Sequence, residues 1–242
     1  MTAVLPLAAN APDAVVTRFI GFVLLAVSSV SFAVLARRNH RLNRFESRTA
    51  FWRYLVLTGV AGVAYGGFGV VWTVTNARLS LAFMQASLLV LIVVLSFAMR
   101  EVYFDRADAP TEDRFSLETL RRVEVGFVVV ILLEWLGVLL LGRSTVLRVV
   151  LGGGSLAFAT YGVVFGESVQ SRGATRGTAL DTLLRHLIPA LICVGLIGLG
   201  DLVGGLGVSP VIVGSVENVF VVMTATFLVT ATIRLQQNVE GL

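Results

Sequence analysis

Three carboxylates interrupt stretches that are otherwise suited to lipid. Glu134 breaks the apolar run from Val125 to Leu141, Asp201 the run from Leu187 to Leu206, and Glu217 the run from Val211 to Ile233. A charged side chain at the centre of a membrane helix costs roughly 2.5–3.5 kcal/mol on insertion scales, so each asks for a partner or a function. Arg78 opens a fourth apolar run, and Gln85 and Asn218 add uncharged hydrogen-bonding groups. The chemistry these types offer is acid–base: holding or passing a proton, or binding a cation. A second reading is structural. Arg78 and Asp201 could snorkel to the interface, a buried Glu134 or Glu217 could fix helix packing, and Gln85 and Asn218 could join helices by hydrogen bonds.

Other chemistries find no support. All 19 basic residues are arginine, so no lysine is present to form a Schiff base. An arginine-favouring genome accounts for that bias. No Ser/His/Asp set, no HExxH and no metal-spaced carboxylate pair occurs, so no catalytic, cofactor or metal residue is assigned and an enzyme is not expected. The single cysteine, Cys193, lies in an apolar run and reads as a packing residue. His40 and His186 flank spans and read as solvated or interfacial. Nucleic acid is not an expected partner, because the arginines border apolar spans and no soluble basic domain is present.

The elements that carry these residues follow from hydropathy. Of 242 residues, 56% are hydrophobic and 14% charged, against about 25% charged in soluble domains, and the mean hydropathy is +0.88. Runs long enough to cross a bilayer occur at 19–36, 54–75, 79–99, 125–141, 149–166, 187–206 and 211–233. Their continuous apolarity predicts helices rather than a barrel. The expected fold is therefore an all-α membrane protein, one domain over 1–242, built as a seven-transmembrane-helix bundle. "GGLGVSP" supplies the reversal between the last two spans. "MTAVLPLAANAPDAVVTR" reads as a short external tail, and Pro110, Thr111, Glu112 and Asp113 as a helix start leading into the fourth span.

Arginine sets the expected orientation. With seven spans, fifteen arginines fall on one side, and only Arg18, Arg78, Arg143 and Arg148 on the other. The positive-inside rule then puts the N-terminus outside and the C-terminus in the cytoplasm. On that basis Arg78, Glu134, Asp201 and Glu217 all lie in the outer half. The glycines of "TGVAGVAYGGFGVV" and of Gly152, Gly153 and Gly154 suit close helix packing within the bundle. Trp52 and Trp72 lie near opposite ends of the second span, as interface anchors would.

Specific stretches resemble the microbial rhodopsins. "YLVLTGVAGVAYGGFG" is similar to that family's second helix, "NAR" to its approach to a third-helix arginine, which would be Arg78, and "LRHLIPALI" through "TATIRLQ" keeps nearly its spacing across the last two helices. The resemblance implies a retinal lysine near Ala225, an acid near Val221, a counterion at Leu81, a tryptophan at Ala82 and aromatic walls near Ile192, Gly195 and Leu199. Every one of these positions is apolar or small. The resemblance therefore implies a rhodopsin-like bundle without covalent retinal or any other assigned cofactor, working as a non-photochemical sensory, signalling or assembly module. The alternative is a proton or small-ion transporter or channel using Glu134, Glu217 and Arg78. The expected partners are the lipid bilayer of a cell membrane, a prokaryotic plasma membrane, with another membrane protein or further copies of the chain.

Overall fold

A computed structural model describes residues 12–42, 49–104, 117–142, 144–171 and 179–240. Seven helices run through them: α1 Pro12–Leu42, α2 Thr49–Thr75, α3 Arg78–Phe104, α4 Leu117–Leu141, α5 Thr145–Ser171, α6 Ala179–Gly205 and α7 Pro210–Glu240. All seven are long and apolar enough to cross a membrane. Each contains one expected apolar span almost whole and extends past it. Only at α6, which stops at Gly205, does an expected span (187–206) overrun its helix.

The first difference from expectation lies in α1. The stretch ending at Arg18 reads as a tail, yet the helix already begins at Pro12. Proline suits a first helical position, where no amide hydrogen bond is lost, and Asp13 meets the positive end of the helix dipole. Arg18 is thereby held on a helix. The proposed start at Pro110–Asp113 lies outside the described residues; α4 is helical from Leu117, ahead of its apolar span.

Three short turns lie at the end of the bundle where α1 begins. In each, a residue with positive φ follows the helix: Asn76 (51°), Gly142 (71°) and Gly207 (95°). At two of these turns the amide of the left-handed residue itself reaches back to a helix carbonyl. Asn76 N donates to Trp72 O at 2.8 Å, and Gly142 N to Val138 O at 3.1 Å. Ser144 then caps α5 by accepting from Leu147 N at 3.3 Å.

Consecutive helices pack side by side, and α7 returns to α1, closing a ring. α3 fills its middle, packing on α2, α4, α5 and α6. Small residues set the tightest approach. A Cβ at Gly59 would stand 2.6 Å from the Ala33 Cβ, one at Gly66 2.8 Å from the Phe22 carbonyl, and one at Gly62 would overlap the Ser29 hydroxyl. The glycine face of α2 thus lies against α1, whereas Gly67 faces open space. Without a hydrophobic drive between helices in lipid, such contact is what holds them together. Cys193 is buried, as a packing residue would be.

Candidate functional site

Five helices bring polar side chains to one cavity near the end where α1 begins. Arg18 and Phe22 come from α1, Tyr65 and Trp72 from α2, Gln85 and Leu88 from α3, Ile197 and Asp201 from α6, and Glu217, Asn218 and Val221 from α7. Its volume is about 40 Å3, space for a few water-sized bodies.

Glycines on facing helices seat three of the polar side chains. Glu217 lies across Gly200 of α6, where an added Cβ would be 2.6 Å from Oε1. Asn218 lies across Gly21 of α1, its Oδ1 3.3 Å from the Cβ position, and Arg18 crosses Gly214 of α7, with Nη2 at 2.8 Å. Any larger residue at Gly200 or Gly214 would displace the charge that crosses it.

Two further contacts fix the walls. The Gln85 Nε2 donates to Asp201 Oδ2 at 3.0 Å, joining α3 to α6. The Arg18 guanidinium lies 5.3 Å from the centre of the Trp72 ring, a cation–π distance. Tyr65 is buried and meets Phe22 edge-on at 5.5 Å between ring centres.

The expected site residues divide into two groups. Gln85, Asp201, Glu217 and Asn218 line this one cavity, with the half-buried Asp201 accepting the Gln85 amide. Arg78 and Glu134 do not line it. Arg78 is exposed at the start of α3, its guanidinium carbon 3.6 Å from where a Gly142 Cβ would stand. Glu134 is fully buried on α4, and neither carboxylate oxygen has a hydrogen-bond partner among the described residues. The cation of the cavity is Arg18, which sequence reasoning assigned to the tail. The Pro12–Asp13 helix-start pair was the signal that could have placed it.

Below the cavity the core is apolar and close-packed, with Leu89, Ile92, Leu95 and Leu191 almost completely buried. Among the described residues, the buried polar groups beyond it include the hydroxyls of Ser29, Thr58 and Ser96 and, toward the far end, the Asn39 amide. Ser96 donates to Phe158 O at 2.8 Å, tying α3 to α5. Charges return at the far end, where Arg100 pairs with Glu101 and Glu124, and Asp181 with Arg185 at 3.1 Å.

Beside the cavity, the outer surfaces of α1 and α7 splay into a groove of about 480 Å3 that shares Arg18, Gly214 and Asn218 with it. The same two helices are fastened at their other ends. Asn39 donates from Nδ2 to Leu235 O at 3.0 Å and accepts at Oδ1 from Asn238 at 2.6 Å.

The positions where the rhodopsin resemblance puts chromophore chemistry differ in burial. Leu81, Ala82, Val221 and Ala225 are buried, Ile192 is exposed on the bundle surface, and Gly195 faces Ala159 of α5. Comparison with known proteins found no matching family model, no significantly similar curated protein and no significantly similar solved structure.

Proposed function

We propose that this seven-helix chain is a non-enzymatic membrane module that receives a signal or ligand in the polar cavity, as a rhodopsin-like bundle without covalent retinal. The observation that carries this reading is the polar cavity. Charged and amide groups from four helices, with Tyr65 and Trp72 of a fifth, converge at one end, and packed leucine and isoleucine lie beyond them. An occupant there touches α1, α2, α3, α6 and α7 at once, so its arrival changes the balance of helix–helix contacts. A ligand shifts a conformational equilibrium only through such differential contacts. The expected partners are lipid and a second membrane protein, for which α4 offers a largely unpacked apolar surface: only 17% of its span is buried.

Transport is the second reading, and Glu134 favours it. A buried carboxyl with no hydrogen-bond partner among the described residues suits a carrier of protons, since an isolated carboxylate is poorly tolerated in a membrane helix. Relay through the apolar core would then rest on water.

Reconstitution into liposomes separates the two. Under imposed proton and sodium gradients the signalling reading expects no flux, and it expects no visible absorption band after addition of all-trans retinal. Proton flux abolished by Glu134→Gln would establish the transporter reading instead. A coloured, hydroxylamine-sensitive pigment would overturn both.

A further inference from the structure

Glu134 sits where an ionised carboxylate has nothing to meet. Its side chain is 0% exposed, and neither oxygen has a hydrogen-bond partner among the described residues. Among those residues of α4, Phe127, Glu134 and Val138 are the buried ones, and their spacing puts them in one stripe along the helix. That stripe is the seat of α4, which packs on α3 and α5 and has the least buried span of the seven. The acid occupies the middle of a narrow seat.

The facing helices offer it no cation. On α5, Leu147 lies against Gly137, and Val130 is 3.1 Å from where a Gly154 Cβ would stand; Glu134 falls between these contacts, level with Leu151. On α3, Phe83 meets the next residue of α4, Trp135, at 5.6 Å between ring centres. No titratable side chain occurs on α3 from Leu79 to Met99, or on α5 from Val149 to Thr160. The groups that border these stretches lie elsewhere. Arg78 lies over Gly142 past the end of α4, and Arg148 along Gly205 of α6. Tyr161 meets Phe127, and Arg100 pairs with Glu101 and Glu124 at the far end. The charge that acts on Glu134 is Asp201 of α6, which has the same sign.

A seat without donor or cation accepts a neutral acid and rejects a carboxylate. We propose that Glu134 is a proton-binding site that latches α4: with its proton the helix seats on α3 and α5, and without it the helix leaves that seat. The step is loss of the carboxyl proton to water, with no other bond made or broken. Protons bind the seated form in preference, so seating is complete at low pH and is lost as pH rises. This goes beyond the signalling reading. It uses no residue of the cavity lining and stands or falls without it.

The test is the distance between two spin labels on the full chain in lipid nanodiscs. In a Cys193→Ala background, labelled cysteines replace Leu140 of α4 (76% exposed) and Leu206 after α6 (79% exposed), where they disturb no packing. Pulsed electron resonance at about pH 5 should give one distance, and at about pH 9 a second that disappears on return to acid. Glu134→Gln copies the neutral acid in shape and should hold the first distance at both pH values. Glu134→Leu should do the same, and it serves if the glutamine variant does not fold. Infrared spectra give an independent readout: a carboxylic acid C=O stretch in acid that alkali removes and that both variants lack. Identical distances at both pH values in the chain that keeps Glu134 would overturn the proposal. So would a pH response that persists in either variant, or an acid spectrum without that band.

Discussion

Gln85 on α3 and Asp201 on α6 are joined by a 3.0 Å hydrogen bond inside the bundle. Interhelical hydrogen bonds in membrane proteins average about 0.6 kcal/mol, with a maximum near 1.7. A double-mutant cycle on Gln85→Leu and Asp201→Asn, read by unfolding in mixed detergent micelles, should give a coupling in the upper part of that range, about 1 kcal/mol. Additive effects of the two substitutions would mean that the residues do not interact.

Gly62 and Gly67 give a matched pair on α2. A Cβ at Gly62 overlaps the Ser29 side chain, whereas at Gly67 nothing lies within 4 Å. Gly62→Ala should destabilise by about 1–3 kcal/mol through overpacking. Gly67→Ala should be neutral or stabilise by up to about 1 kcal/mol, because alanine is the better helix former. Equal effects would show that the α1–α2 seam is not where the structure has it.

Glu134 has no hydrogen-bond partner for either carboxylate oxygen among the described residues. Replacing an unsatisfied buried acid by an apolar residue of similar size should therefore stabilise the fold, as replacement of buried charged groups often does, by about 1–4 kcal/mol. Glu134→Leu is the substitution to measure, by thermal unfolding in nanodiscs. A loss of stability would reveal a partner.

Topology mapping tests orientation. In a Cys193→Ala background, single cysteines at Asn76 and Ser209 lie at one end of the bundle and those at Arg41 and Gln237 at the other; all four positions are exposed. The arginine distribution predicts that a membrane-impermeant maleimide applied to intact cells labels the first pair and spares the second. The reverse pattern would invert the chain, and labelling of one residue from each pair would break the seven-span count.

Hydropathy made the seven helices legible because length and apolarity alone define a span. It also placed Glu134, Asp201 and Glu217 at roughly the same depth. It did not reveal rotation. These helices are apolar nearly all round, so no polar stripe marks which side faces inward. Asp201 could be read as interfacial, yet it turns toward Gln85. Glu134 shares the depth of the others, but α4 packs mainly on α3 and α5, and its carboxyl stays outside the cavity lining. Arg18 was missed for a different reason. Its helix begins before the apolar run does, and a scan for greasy stretches trims away the polar first turns that carry it.

The seam between α1 and α7 is pinned by Asn39 at one end and gapes beside Arg18 at the other. Arg18 and Asn218 border both volumes, so a molecule lying in the groove between α1 and α7 meets the same guanidinium and amide that line the chamber.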